Sequence, residues 1–241
     1  MIVCIPSKGR PLTKTHLIFE KAGYEVFHFI EPQEMNSYLV KNKICIEADN
    51  KGVTYVRNFM LEWCRDNKVD WAWFCDDDVN GFGVYNGKTV RKDASVLKAV
   101  EEKAKKLPFE IVGLSYVQYA WTEKKSYCIN RKFAEVCTLM NVSKIKWNYN
   151  EDTKEDRDFA MQTIQNGHGI LKFNHIWFSC PNIGSNEGGL HEWYAAKKDH
   201  EAAKKMAIAW SPWVTLKLKA ERLDVKTDIK GFAKHCMRKV F

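Results

Sequence analysis

Two hydrophobic periods take turns along the first half of this chain. Ile2–Pro6 is a short, continuous apolar run, as in a strand buried on both faces. Thr13 to Ala22 changes to helical spacing and stops at Gly23. Glu25–Ile30 and Lys43–Ala48 read as further strands. Tyr55–Asn67 reads as a helix with Val56, Phe59, Met60 and Trp63 on one face. Trp71–Cys75 is again apolar throughout. Such alternation predicts an α/β fold in which a mostly parallel central sheet carries helices on both faces. Ligands of such sheets sit beyond the carboxyl ends of the strands, so chemistry is expected immediately after them.

The second half is more mixed. Asp93–Lys106 is an amphipathic helix and Glu110–Val117 a strand, while the aromatic-rich stretch Tyr119–Tyr149 reads as short strands and loops. Thr153 is the expected N-cap of a helix running to about Asn166, with Asp156 at N3. Ile170–Cys180 is an apolar strand region, Pro181–Leu190 a glycine- and asparagine-rich loop, and His191–Trp210 a helix. No linker or repeat interrupts the 241 residues, so a single domain is expected over 1–241.

Composition narrows the class. With 45% hydrophobic residues the chain can bury a sizeable core, which excludes global disorder. The net charge of +8 favours anionic partners: nucleic acid, nucleotide phosphates or acidic surfaces. Eight cysteines include no CxxC pair, so a zinc ribbon or thioredoxin-type site is not expected; most sit in apolar runs, as buried thiols do in a reducing compartment. The opening residues do not form a signal peptide and no run suits a membrane span, so a soluble, cytoplasmic protein with no membrane partner is expected.

The strongest chemical signal follows Trp71–Cys75, where Asp76, Asp77 and Asp78 stand in succession. Clustered carboxylates raise one another's pKa, and a hard divalent cation, Mn²⁺ or Mg²⁺, relieves the repulsion. In an extended chain Asp76 and Asp78 point to one side and Asp77 to the other, leaving one face for a metal and its diphosphate. The bland alternative is a solvated acidic turn. A second cluster, Glu155, Asp156 and Asp158, lies at the start of a helix, where acids are ordinary stabilisers; beside a metal–diphosphate site, one of them suits a general base for an acceptor hydroxyl. Pro6, Ser7, Lys8 and Arg10 follow the first strand, where small and basic residues suit a nucleotide, although the P-loop and GxGxxG spacings are absent. Arg57 and Asn58 open the helix before the acidic run, where an arginine contacts phosphate or an acidic partner. His191, after Gly188-Gly189, is a candidate to complete a metal shell or an ordinary surface histidine.

In this order the pieces resemble a GT-A glycosyltransferase. More narrowly, Ile5-Pro6-Ser7-Lys8-Gly9-Arg10-Pro11, Phe29-Ile30-Glu31-Pro32-Gln33-Glu34, Gly52-Val53 with Arg57-Asn58, and Trp73-Phe74-Cys75-Asp76-Asp77-Asp78-Val79 resemble the TET-associated glycosyltransferases of bacteriophages, over roughly residues 1–190. The resemblance implies a GT-A-like nucleotide-diphospho-sugar transferase fold, with residues 1–117 as the nucleotide-sugar-binding half and 118–210 as the acceptor half. It implies transfer of a hexose from a UDP-sugar to the hydroxyl of 5-hydroxymethylcytosine in DNA, in the cytoplasm of an infected host if the protein is phage-encoded. By that carry-over Asp78 binds the metal, Asp76 the metal or ribose, Arg10 and Glu31 lie near the nucleotide, and Asp156 is the base of an inverting displacement. His191 as a metal ligand follows from general GT-A logic alone.

Residues 211–241 form a basic tail. From Lys217 to Phe241 there are eight basic and three acidic residues, a net +5. Arg222, Lys226, Lys230, Lys234 and Arg238 recur every four residues, and on a helix they form a basic stripe beside an apolar stripe of Val225, Ile229, Phe232, Cys236 and Val240. Lys226, Lys230, Lys234 and Arg238 are therefore the expected DNA-backbone contacts, although Gly231 weakens one continuous helix. Other readings remain open: a sugar transferase with a protein or small-molecule acceptor, a nucleotidyltransferase, or a non-catalytic DNA-binding module.

Overall fold

A computed structural model describes residues 1–150, 154–182, 196–219 and 222–238. Its centre is a ten-stranded sheet in the order β3-β2-β1-β4-β9-β7-β10-β5-β6, with β8 pairing beside β5 on the same edge of β10. The strands are β1 Ile2–Ser7, β2 Glu25–Ile30, β3 Lys43–Cys45, β4 Trp71–Cys75, β5 Gly81–Tyr85, β6 Val90–Lys92, β7 Ile111–Tyr116, β8 Tyr127–Ile129, β9 Cys137–Asn141 and β10 Ile170–Ser179.

The continuous apolar runs are strands covered on both faces. In β4, Ala72 and Phe74 enter one core and Trp73 and Cys75 the other. The second of these cores receives Phe19 of α1 (Thr15–Lys21) and Leu97, Val100 and Ala104 of α3 (Val96–Lys105). The first receives α2 (Val53–Asp66) through Val56, Met60, Leu61 and Cys64, and α4 (Glu155–Gln165) through Phe159, Ala160, Met161 and Ile164. Ala203 and Met206 of α5 (Lys198–Ala209) join it. Helices thus cover both faces, as expected, and no helix among the described residues is long and apolar enough to cross a membrane.

The sheet is more mixed than the expected mostly parallel one. β1, β2, β3 and β4 are parallel neighbours, as are β7 and β10, but β9 runs antiparallel between β4 and β7, and β5, β6 and β8 add antiparallel pairs. Local periodicity marks an apolar run as a strand without giving its direction, and Cys137–Asn141 is wholly buried.

The tail also departs from expectation. Residues 222–238 are not one helix: β11 (Val214–Lys219) and β12 (Arg222–Thr227) form an antiparallel hairpin, and α6 (Ile229–Arg238) follows. A four-residue repeat fits both forms, because positions i and i+4 share a face on a strand as on a helix. The break lies at Asp228, whose Oδ1 accepts from Gly231 N at 2.9 Å and caps the new helix. Val214, Val225, Ile229, Phe232 and Ala233 dock the unit on the first core.

Candidate active site

The carboxyl ends of β1, β2 and β4 meet at one edge of the sheet, so the residues after them become neighbours. β4 ends at Cys75 and the chain turns at Asp77–Asp78 instead of running on extended. The outcome is still a division of roles. Asp77 is buried; its Oδ2 accepts from Ser7 Oγ at 2.5 Å and its Oδ1 from Arg10 Nη1 at 2.6 Å. Its carbonyl accepts from the hydroxyls of Thr13 and Thr15. Burial pushes the Asp77 carboxyl up to about 6, against the pull of Arg10 and Ser7. Asp77 therefore clamps the loop after β1 to the end of β4. Asp76 and Asp78 keep side chains 33% and 25% exposed. Arg10 Nη1 also reaches Asp78 Oδ2 at 3.3 Å.

The loop after β1 is braced on its other side. Lys8 Nζ lies 3.0 Å from Glu31 Oε2 and donates to Asn50 Oδ1 at 2.5 Å. Glu31, buried at the end of β2, also accepts from Gln33 Nε2 at 2.9 Å. Gly9, at φ 66°, donates its N–H to Glu34 Oε2 at 2.7 Å, and Arg10 N donates to the Tyr38 hydroxyl at 3.1 Å. Ser7, Arg10 and Asp77 thus form one hydrogen-bonded group and Lys8 and Glu31 another, and together they make a platform at the strand ends.

Arg57 links that region to the late acidic cluster. Its guanidinium forks, Nη2 to Asp76 Oδ1 and Nη1 to Glu155 Oε1, both at 2.9 Å. Asn58, the next residue, fixes backbone. Its amide exchanges two hydrogen bonds with the backbone of Tyr149, at 2.7 and 3.0 Å, fixing the approach to α4. Tyr149 then stacks on Phe159 at 4.0 Å between ring centroids.

α4 begins at Glu155 with Lys154 as its cap residue, so Asp156 is the second helical residue; the expected cap, Thr153, lies outside the described residues. Burial, and then the charge of Asp156, pushes the Glu155 carboxyl up to about 7 despite Arg57. Asp156 lines a cleft together with Pro6, Arg57, Asp76, Glu135 and Tyr149. Asp158 is turned away from it: buried, its carboxylate accepts from Trp210 Nε1 and Gln162 Nε2, each at 2.6 Å. That pairing makes it a packing residue of α4.

Glu135 in the cleft had no signal in the sequence. It belongs to a tight turn in which Cys137 N donates to Glu135 O at 2.6 Å, and Val136 takes φ 61°. A β-branched residue in the left-handed region costs on the order of 1–3 kcal/mol and persists only where its surroundings impose it. Here Val136 O accepts the N–H of Asp76 at 2.9 Å, tying the turn to the acidic run. Burial, then Asp156, pushes the Glu135 carboxyl up, while burial pulls the Lys172 ammonium down. Arg157 lies 3.8 Å from Glu135 and 3.0 Å from Asp224 of β12, so the hairpin braces this wall.

Among the described residues no three His, Cys, Asp or Glu side chains are grouped to hold a metal ion, and His191 lies outside them. Asp76 and Asp78 nevertheless fit a hard cation of the magnesium type, which takes one or two carboxylates and draws its other ligands from water and phosphate. Lys226 on β12 and Lys230 and Lys234 on α6 are exposed, and Arg238 is the last residue of α6.

Comparison with known proteins adds the family. No protein of curated function shows significant sequence similarity to this chain. Among solved structures it is similar to the CMP:2-keto-3-deoxy-manno-octonic acid synthetase complexed with CTP, at 11% identity and a TM-score of 0.44, over 87% of this chain and 99% of that one. It is also similar to the crystal structure of A197 from STIV, at 16% identity and a TM-score of 0.43, over 73% of this chain and 83% of that one. Residues 1–189 match the family described as TET-Associated Glycosyltransferase.

Proposed function

The chain belongs to the TET-associated glycosyltransferase family, and from that premise we propose that it moves a hexose from a UDP-sugar to the hydroxyl of 5-hydroxymethylcytosine in DNA, with inversion. The observation that carries this reading is the Arg57 fork, which holds Asp76 and Glu155 on one guanidinium and brings Asp76 and Asp156 to one cleft. A diphosphate-bearing donor needs the first and an acceptor hydroxyl needs the second.

In this reading Asp156 takes the proton of the acceptor hydroxyl as its oxygen bonds to the anomeric carbon. The bond from that carbon to the diphosphate oxygen breaks, and UDP leaves with the electron pair. Arg10 and Lys8 face the nucleotide side, and Glu31 fixes Lys8. Asp76 and Asp78 would hold Mn²⁺ or Mg²⁺, which when bound offsets the charge gathering on the leaving diphosphate. Asp77 and Asn58 act on donor binding indirectly, by fixing the loop after β1 and the approach to α4.

The test is to incubate the protein with UDP-glucose, UDP-GlcNAc or UDP-galactose, 5-hydroxymethylcytosine DNA and Mn²⁺, and to read the DNA by mass spectrometry. A mass gain of one hexose or N-acetylhexosamine per modified base is expected from one of the donors. No gain with any of them, alongside hydrolysis of a UDP-sugar, would move the acceptor to a protein or small molecule.

A further inference from the structure

We propose that residues 117–134, the segment leaving the cleft after β7 and returning to it before Glu135, form a stacking platform for an unpaired nucleic-acid strand. The proposal rests on the reading above that the acceptor is a base in DNA: many enzymes that modify a base act on it unpaired or flipped out of the stack.

The first support is composition in space. Tyr119, Trp121 and Tyr127 are about half exposed, at 53%, 50% and 50%. The same segment exposes Lys124, Lys125 and Arg131, none of which has a carboxylate partner among the described residues. Lys132 is paired, to Glu123, which closes the loop on itself. Flat aromatic faces interleaved with unpaired cations match the two faces of a single strand, its bases and its phosphates.

The second support is rigidity. β8 is hydrogen-bonded to β10, with Tyr127 opposite Phe173 and Ile129 opposite Leu171. Where β10 bulges, Asn174 donates from its backbone N to Ser126 O at 2.7 Å and from its side-chain amide to Lys125 O at 2.9 Å. His175 Nε2 contacts Glu123 O at 2.8 Å. The backbone that carries Tyr127 is thus held in place before any ligand arrives, which lowers the ordering cost of binding.

The third support is position. Tyr119 lies 6.3 Å, ring to ring, from Tyr116 at the end of β7. Burial raises the Tyr116 hydroxyl pKa and the charges of Glu135, Asp156 and Asp76 add to it, so that hydroxyl lies within their field. At the other end Ala134 and Glu135 line the cleft itself.

The experiment measures fluorescence anisotropy of a labelled single-stranded DNA 15-mer, and of its duplex, with no UDP-sugar present. Trp121→Ala and Tyr127→Ala should each weaken single-strand binding by about tenfold, and Trp121→Phe should restore most of it. Replacing Lys124, Lys125 and Arg131 with Gln should flatten the slope of log K against log salt by about 2. Thermal midpoints of all variants are measured alongside; a drop in midpoint identifies a folding defect, and the Phe variant then decides. Unchanged affinity in both Ala variants overturns the platform. So does a loss seen only when Lys226, Lys230 and Lys234 are replaced by Gln. Binding that needs the rings but ignores salt reassigns the segment to an uncharged ligand and also overturns it. Because no sugar donor is involved, sugar transfer can fail while the platform stands, and the reverse.

Discussion

The two walls of the site are built in opposite ways. On the wall assigned to the donor, polar side chains satisfy one another over short paths: Ser7 and Arg10 on Asp77, Lys8 on Glu31, Arg57 on Asp76. Apart from Arg57 of α2, they stand at or just after the ends of parallel strands that lie side by side in the sheet. On the wall assigned to the acceptor, Glu135, Asp156 and Arg157 come from a strained turn and a helix start, braced by Asp224 from a hairpin late in the chain. A wall wired from strand ends is set by the sheet itself. A wall drawn from distant segments can change its ligand while the first stays as it is.

Asp156→Asn tests that contrast most severely. If the walls divide donor from acceptor, transfer falls by roughly 10²–10⁴ while UDP-sugar affinity, read by calorimetry, holds. Parallel loss of donor affinity would erase the division. Next is Asp78→Ala on the opposite wall, which should cost about a hundredfold in both UDP-sugar hydrolysis and transfer. Removing divalent cations with EDTA should do the same to the wild type. Full activity in EDTA would take the metal out of the donor wall.

The same contrast explains what was legible in the sequence. Pro6, Ser7, Lys8, Arg10, Glu31, Arg57 and the Asp76–Asp78 run stand beside strand or helix boundaries that periodicity marks, so their meeting follows once the strands are parallel neighbours. Strand direction was not legible beyond β4: the antiparallel place of β9 depends on pairing with β4 and β7 together. Glu135 was invisible for a related reason, since nothing in Phe133-Ala134-Glu135-Val136 favours a left-handed valine; the hydrogen bond to Asp76 N and the packing of Ala134 against Gly113 impose it. The tail held a usable signal that the four-residue count obscured. Val214, Leu216, Leu218, Leu223 and Val225 alternate with period two, and the register pairs Leu216 with Val225 and Leu218 with Leu223. Asp158 was indistinguishable from its neighbours until Trp210, far along the chain, came to sit on it.

Glu155 tests whether the fork between the walls is under electrostatic tension. Folded, its carboxyl holds a proton up to about pH 7; its ordinary value is 4.5. Between those values the folded state binds more protons than the unfolded one, so stability falls as pH rises through that window. The contribution is full below pH 4.5 and gone above about 7. Glu155→Gln mimics the neutral acid at every pH. Relative to wild type it should therefore gain stability on going from pH 5 to pH 8, by at most about 3 kcal/mol in urea unfolding. A difference that does not move with pH would mean that the charge of Glu155 is as well accommodated as its neutral form.

The smallest effect expected is from Glu135→Gln, and it bears most directly on the acceptor wall. Glu135 lines the cleft with Asp156, and its ion partner is Arg157. If it holds the acceptor in line for Asp156, losing its charge removes one charge-assisted hydrogen bond, and KM for the DNA acceptor rises about tenfold. KM for the UDP-sugar should not change, because the bonds joining Ser7, Arg10, Asp77, Lys8 and Glu31 do not involve it. The turn should survive, since it is held by backbone bonds from Cys137 N to Glu135 O and from Asp76 N to Val136 O. A rise in the donor KM instead would place Glu135 on the donor side and join the two walls into one site. No change in either constant would make Glu135 a partner of Arg157 and Lys172 alone, leaving Asp156 as the acceptor wall's one working carboxylate.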